Sequence, residues 1–359
     1  MTQRTLGDVA TGRKNNITFI RLVAALMVIW GHSNAVVKQP GQDLVSYVTQ
    51  YAHAGGFAVD MFFLMSGFLV TGSILNGGLK RYVVSRSLRI YPALWVCLIV
   101  VTFVLGAALT TLPLGQYYSD AQTWRYFGRL ATGLWTEWFL PGVFENQRDH
   151  AVNGSIWSII VEIRMYIILA VLFVLRVYRW PVVFNTLFVL GMILGYREVV
   201  HFPYFAAGST DLQVASYFAI GSFLYVNKDW VPAGPFPFFF ALVVAATQIG
   251  TPTFPLLYAL CLTTLFVWIA FGQQFHWVDK HDYSYGIYLY GWPVQQTFVH
   301  FYPEMTPHQN MLASMAVATL LGALSWHYVE APMLKLKRLF DTRKDKLRHE
   351  DVALKEGAA

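Results

Sequence analysis

Ten stretches of mostly apolar residues dominate this sequence. A helix rises about 1.5 Å per residue and the hydrocarbon core of a bilayer is about 30 Å thick, so a spanning helix needs about 20 apolar residues. The chain is 56% hydrophobic and 13% charged, which is too apolar for the surface of a soluble globular protein. We therefore predict an all-α, polytopic membrane protein with about ten transmembrane helices, at residues 17–36, 55–75, 88–112, 156–177, 181–200, 212–227, 235–250, 252–272, 283–302 and 310–334.

The positive charges indicate how these helices are oriented. Most of the 26 Lys and Arg residues flank the spans on the side of both chain ends, whereas the opposite loops hold Lys38, Arg125, Arg129, Arg148 and Arg197. Because Lys and Arg concentrate in cytoplasmic loops, both termini are predicted to be cytoplasmic. The predicted organisation is a cytoplasmic N-terminal segment (1–16), a ten-helix transmembrane domain (17–335) and a charged cytoplasmic tail (336–359). The net charge of +6 follows from these flanks, so no nucleic-acid partner is expected.

Two ionisable residues share the first predicted span. Arg21 and His32 are 11 residues apart in ITFIRLVAALMVIWGHSNAV, which is close to three helical turns, so both side chains lie on one face about 16 Å apart. Ionisable side chains are costly inside a bilayer and usually mark functional sites. The alternatives are a snorkelling arginine and a satisfied interfacial histidine. The shared face favours a functional pair, with Arg21 in the cytoplasmic half and His32 near the outer end.

Two carboxylates are predicted at about the depth of His32. Asp60 lies in the second span, which enters from outside as GGFAVDMFF, and Glu162 lies in the fourth, which enters as NGSIWSIIVE. A buried carboxylate needs a partner or a proton, and either acid could orient the imidazole or raise its basicity. A structural ion pair is the open alternative for each acid.

Arg86 and Arg89 begin the third span in SRSLRIYP. They are three residues apart and therefore neighbours on one helix face. Paired guanidiniums offer several donors to phosphate oxygens, as a nucleotide-bearing donor substrate requires. By charge alone, ordinary anchoring at the cytoplasmic interface is the favoured explanation.

Two further features limit the chemistry. Cys97 and Cys261 both fall inside predicted spans, so neither a structural disulfide nor a metal site is expected. The longest segment between spans, 113–155, is rich in aromatic residues and is predicted to lie on the outer side. There it would shape the specificity for the molecule that binds at the outer face.

The predicted layout is polarised across the membrane, with arginines toward the cytoplasm and the histidine and acids toward the outside. An enzyme that takes a phosphate-rich donor from the cytoplasm and modifies an acceptor at the outer face needs this arrangement. The rival is a proton-coupled transporter or flippase of a lipid-linked or small polar substrate. A transporter predicts inverted repeats with matching broken helices, and the sequence displays neither.

The same residues carry a resemblance to a known family. In order along the chain, the motifs RLVAALMVIWGH, VDMFFLMSGFL, RSLRIYP, WSIIVE, SYGIYLYGWP and EAP resemble those of the acyltransferase 3 family of bacterial membrane O-acyltransferases. The resemblance implies a ten-helix acyltransferase domain in the bacterial cytoplasmic membrane and an acyl-coenzyme A donor, usually acetyl-coenzyme A. It also implies a carbohydrate acceptor on a lipid-linked or exported glycan.

At the level of residues, the resemblance implies that Arg21 and His32 are needed for activity and that Arg86 and Arg89 contact the phosphates of the coenzyme. Family members often carry a histidine at the position of Gly291, so no role is transferred there. The chain is therefore predicted to be an O-acyltransferase, most simply an O-acetyltransferase, for which acyl-coenzyme A is a substrate and no tightly bound cofactor is expected.

The predicted mechanism assigns a role to each ionisable group. His32 acts as general base on the acceptor hydroxyl and Arg21 stabilises negative charge on the donor. Glu162 or Asp60 orients or charge-stabilises the imidazole. A covalent acyl-histidine intermediate is the alternative mechanism. The sequence identifies neither the acceptor nor the oligomeric state.

Overall fold

A computed structural model of the chain describes residues 4–10, 15–38, 41–196, 210–272 and 281–340. Its first half contains α1 (Leu6–Val9), α2 (Ile17–Val36), α3 (Leu44–Thr49), α4 (Ala54–Ile99), a π-helical continuation (Val100–Gly106), α5 (Ala107–Leu109), α6 (Leu114–Ser119) and α7 (Ala121–Thr132). Its second half contains α8 (Ile156–Val174), a 3-10 turn (Val177–Arg179), α9 (Pro181–Tyr196), α10 (Thr210–Val226), α11 (Pro235–Ala246), α12 (Phe254–Phe271), α13 (Ser284–Phe301), α14 (Pro307–Ser325), a π-helical turn (Trp326–Glu330), α15 (Ala331–Lys335) and a 3-10 turn (Leu336–Phe340). The predicted all-α fold is confirmed.

Every predicted span coincides with helix in the described residues, although its ends differ by a few residues. The described part of span 181–200 is α9, and 197–200 lie outside the described residues. Within the described part of the chain, five stretches are long and apolar enough to cross a bilayer on their own: α2, α8, α12, Ala54–Leu109 and Pro307–Phe340. At 12 residues, α11 is only about 18 Å long and too short to cross alone. The protein is therefore a multi-pass membrane protein, and the number of ten crossings stays a prediction.

The second and third predicted spans form two arms of α4. The 46-residue helix is interrupted at Gly78, where φ is 73° and ψ is 169°. Residues with a Cβ rarely adopt this left-handed φ, whereas glycine does so readily. The first arm carries Ser66 and the second carries Arg86 and Arg89, so the break at Gly78 brings groups from two spans to one pocket.

Helix α2 packs against α4, α13 and α14. A Cβ placed on Gly31 would lie 2.2 Å from the backbone nitrogen of Gly55, so the backbones of α2 and α4 meet directly there. Small residues allow this close approach between membrane helices. The helix that carries Arg21 and His32 is therefore fixed against the helix that carries Asp60, Arg86 and Arg89.

The segments outside the membrane domain are only partly described. Leu6 of α1 is fully buried, and its backbone nitrogen donates to the Val231 carbonyl at 2.8 Å. The predicted N-terminal segment thus contacts the loop between α10 and α11. Of the predicted tail, 341–359 lie outside the described residues.

Candidate active site: two pockets with a common wall

The first pocket, called here the arginine pocket, has a cavity volume of about 90 Å³. It lies between α2, both arms of α4, α8 and α13. Its polar lining consists of Arg21, Arg86, Arg89, Ser66, Ser158, Glu162, Tyr166 and Ser284, and its apolar lining includes Phe62, Phe63, Met65, Leu69 and Ile159. The pocket therefore places three guanidiniums beside an apolar interior.

Two of these guanidiniums are held by carboxylates. Arg21 Nη1 lies 3.0 Å from Asp282 Oδ2, and Arg89 Nη2 lies 2.6 Å from the same oxygen. Arg89 Nη1 also reaches Glu330 Oε2 at 3.2 Å. Burial opposes ionisation of Asp282, but Arg21, Arg89 and hydrogen bonds from Ser284 outweigh it and lower the pKa of Asp282 to about 2. Asp282 is therefore ionised at neutral pH, and its ion pairs hold Arg21 and Arg89 in place.

Arg86 has a different environment. Its Nη2 lies 3.4 Å from Ser85 Oγ, its Nε is buried without a hydrogen-bond partner, and no carboxylate pairs with it among the described residues. A buried polar atom without a hydrogen-bond partner is energetically costly. Of the three arginines, Arg86 is thus the one whose donors are most available to an anionic ligand.

Glu162 lies in the arginine pocket and not beside His32. Its Oε1 accepts hydrogen bonds from Ser66 Oγ and Tyr166 Oη, both at 2.6 Å. Ser66 is six residues beyond Asp60 on α4, which is about 9 Å deeper along that helix. The prediction that Glu162 orients the His32 imidazole is therefore wrong, because Glu162 lies in a different pocket. Counting residues from the start of each helix gives the wrong depth, because the helices begin at different heights.

The second pocket, called here the histidine pocket, has a cavity volume of about 950 Å³. It is lined at one end of the bundle by His32, Asn34, Gln42, His53, Asp60, Trp138, Arg148, Trp157, Arg164, Gln213 and Trp292, among others. Trp138 and Arg148 belong to the segment 113–155, so this segment forms part of the pocket wall. The lining combines tryptophan rings with amide, carboxylate and guanidinium groups.

The His32 ring is packed but not hydrogen bonded at Nδ1. It meets the Trp292 ring edge-on, with centroids 4.7 Å apart and an interplanar angle of 76°. Nδ1 is buried and has no hydrogen-bond partner among the described residues. Leaving a buried polar atom unsatisfied costs about 1–3 kcal/mol, so His32 has a nitrogen whose bonding capacity a ligand can use.

His53 is a pocket residue that the sequence analysis missed. Its ring centroid lies 6.5 Å from that of His32, and its Nδ1 accepts a hydrogen bond from the Gly56 backbone at 3.3 Å as the N-cap of α4. A neutral imidazole that accepts at Nδ1 carries its proton on Nε2. The signal was the motif HAGG directly before a predicted span, which places a capping side chain at the helix start.

Asp60 lines the histidine pocket but does not contact His32. Its side chain is 1% exposed and accepts from Gln213 Nε2 at 3.1 and 3.3 Å, with Tyr258 Oη 3.5 Å away. Successive residues on a helix differ in direction by about 100°, and Asp60 faces α10 and α12 instead of α2. The predicted contact between Asp60 and the imidazole is therefore corrected as well.

The two pockets meet at one place. Among the described residues, Val59 of α4 and Tyr288 of α13 line both of them. Arg21 lines one pocket and His32 lines the other, although both side chains belong to α2. Arg21 and His32 thus line different pockets, and the side of the membrane that each pocket faces stays a prediction.

Sequence similarity extends over most of this architecture. A family profile described as an acyltransferase domain, that of the acyltransferase 3 family, matches residues 14–327. The O-acetyl transferase of Shigella phage Sf6 is 26% identical over 90% of this chain and 96% of its own. Nodulation protein 10 of Rhizobium leguminosarum bv. viciae is 25% identical over 91% and 95%, respectively. No solved structure matches the chain significantly. The chain belongs to the acyltransferase 3 family and is a membrane-embedded acyltransferase.

Proposed function

We propose that the protein is an O-acetyltransferase that moves an acetyl group from acetyl-coenzyme A to a hydroxyl of a lipid-linked or exported glycan. The observation that carries this proposal is the meeting of an arginine-lined pocket and a histidine-lined pocket at one wall. Acetyl is chosen as the acyl group because the similar Shigella phage Sf6 protein is named an O-acetyl transferase. The bacterial cytoplasmic membrane is the proposed location.

The arginine pocket is proposed to bind the donor. Arg86 contacts phosphate oxygens of the coenzyme, because its donors are not committed to a carboxylate. Arg89 is held by Asp282 and Glu330, so its role is to add positive charge near the bound phosphates and to form part of the pocket wall. Arg21 stabilises negative charge on the thioester carbonyl as it reacts. The apolar lining of the pocket receives the acyl end of the donor.

The histidine pocket is proposed to bind the acceptor. Tryptophan rings and amide groups together suit a sugar, since an aromatic face covers its C–H surface while the polar groups fix its hydroxyls. His32 takes the proton of the attacking hydroxyl as general base. The new C–O bond forms as the thioester C–S bond breaks, and the departing thiolate receives a proton. The products are therefore the O-acetyl ester and free coenzyme A.

The test is transfer of labelled acetyl from acetyl-coenzyme A to surface glycan in membranes that contain the protein. Label should appear in the glycan fraction only when both the protein and the acceptor are present, and mass spectrometry should locate an acetyl ester on a sugar hydroxyl. Unlabelled glycan in membranes that retain a folded protein would refute the proposal.

Replacement of Arg86 with alanine is expected to raise the donor KM roughly tenfold to a hundredfold, because a charge-assisted hydrogen bond is worth about 1.5–3 kcal/mol. At saturating donor, kcat should change little. Arg81→Ala is the matched control, since Arg81 lies on the same helix five residues earlier and does not line the arginine pocket. An unchanged donor KM in Arg86→Ala would remove Arg86 from the phosphate site.

The proposed orientation places the arginine pocket toward the cytoplasm and the histidine pocket toward the outside. A topology reporter inserted at Arg148 should therefore read as external, and one inserted at Lys80, near the break in α4, should read as cytoplasmic. The reverse pattern would require the donor to enter from outside and would contradict the proposed use of cytoplasmic acetyl-coenzyme A.

A further inference from the structure

The two pockets share a wall, and an acyl group that moves from one pocket to the other must pass this wall. Coenzyme A in the arginine pocket and a hydroxyl in the histidine pocket can react only where the thioester carbonyl is reachable from both sides. Val59 and Tyr288 are the described residues that line both pockets. The acyl group must therefore be transferred next to these two side chains.

Tyr288 is held rigidly at this position. Its Oη donates to the Ser155 carbonyl at 3.0 Å and lies 2.5 Å from Ser158 Oγ. Ser158 Oγ also lies 3.4 Å from the Ser155 carbonyl, so whichever hydroxyl donates in the second contact, the phenolic proton is engaged in a hydrogen bond. The ring also meets Phe62 edge-on at 5.9 Å. Tyr288 thus has no free proton for catalysis, and its ring acts as a fixed surface.

Val59 forms the other side of the wall. It is 6% exposed and precedes Asp60, whose bonds to Gln213 fix the rotation of α4 at this point. A β-branched side chain in a helix has essentially one χ1 rotamer, so its two methyl groups cannot swing aside. The wall is therefore built from two side chains with little freedom to move.

We infer that Val59 and Tyr288 are specificity-determining residues that limit the size of the acyl group transferred. This inference rests on the proposed function. A short acyl group fits beside the two side chains with its carbonyl open to the histidine pocket, whereas the chain of a longer group collides with them. Neither residue exchanges a proton with the substrates.

The experiment compares acetyl-coenzyme A with butanoyl-coenzyme A as donors in membranes. Val59→Ala should raise the butanoyl-to-acetyl ratio of kcat/KM by roughly tenfold or more, since one methylene in a fitted pocket discriminates by about 10- to 200-fold. Tyr288→Leu removes both the ring and the hydroxyl that bonds Ser155 and Ser158, and it should shift the ratio in the same direction. Val59→Ala decides the question by itself if Tyr288→Leu does not fold.

Tyr290→Ala is the matched control. Tyr290 lies on the same helix and is as buried as Tyr288, at 8% against 7% exposure, but it lines a different cavity beside α14. Its removal should leave the donor ratio at the wild-type value. An unchanged ratio in Val59→Ala, or an equal shift in Tyr290→Ala, would overturn the inference. Wild-type protein that uses neither donor would instead refute the proposed function and, with it, this inference.

Discussion

Replacing His32 with alanine is expected to lower kcat for acyl transfer by about 10²- to 10⁴-fold, the usual contribution of a positioned general base. The donor KM should change little, because His32 lines the histidine pocket whereas the donor is proposed to occupy the arginine pocket. The measurement is initial rate against acetyl-coenzyme A concentration in membranes with equal amounts of folded protein.

Two further variants sharpen the His32 experiment. His32→Gln keeps a polar side chain but supplies no base near neutral pH, so it should be as inactive as His32→Ala. His300→Ala should keep wild-type activity, since His300 is exposed at the end of α13 and lines another cavity. Near-normal kcat in His32→Ala would exclude a catalytic role. Label retained on His32 in the absence of acceptor would favour the acyl-histidine mechanism over general-base catalysis.

The positions of the helices could be predicted from the sequence because membrane thickness fixes their length. The first predicted span, 17–36, coincides with α2, and the spacing of Arg21 and His32 placed them on one face because both belong to a single continuous helix. Arguments that stay within one helix are reliable, since helical geometry fixes relative direction and height. For the same reason Arg86 and Arg89 were placed together correctly at one site.

Relations between helices could not be predicted in the same way. Glu162 was expected beside His32 but bonds Ser66, and Asp60 was expected there but bonds Gln213. Both errors arise because packing, and not residue number, sets the relative height and rotation of two helices. The position of Tyr288 between two pockets could not be predicted either, since nothing in one span shows that a second pocket lies behind it.

The ion pairs of the arginine pocket could not be predicted from the sequence either, because they depend on how the helices pack against each other. Asp282 stands directly before a predicted span that begins at the same end of the bundle as Arg21, which was the available signal. Glu330 lies in the π-helical turn after α14, and its carboxylate pairs with Arg89. Pairing of one carboxylate with arginines of two different helices needs the contact between those helices, which no local pattern supplies.

Replacing Asp282 with alanine is expected to destabilise the folded protein by up to about 3–5 kcal/mol, because it leaves the partly buried guanidiniums of Arg21 and Arg89 without their shared counter-ion. Thermal unfolding in detergent should show a clearly lower Tm. Glu304→Ala is the matched control. Glu304 also forms an ion pair, with Lys38 at 2.6 Å, but the two side chains are 76% and 55% exposed, and an exposed pair contributes only about 0–1 kcal/mol.

The pH dependence gives a second test of the Asp282 network. The pKa of Asp282 in the folded protein is about 2, below the ordinary value of about 3.9 for the unfolded chain. A depressed pKa means that the stabilisation is complete above pH of about 4 and is lost as the pH falls toward 2. The Tm difference between wild type and Asp282→Asn should therefore stay constant from pH 5 to pH 8. It should shrink only in stronger acid, where Asp282 of the wild type becomes protonated. If Asp282→Asn keeps its Tm but loses transfer activity, the carboxylate acts on the substrate or on Arg21 during the reaction, and its role is not the structural one assigned here.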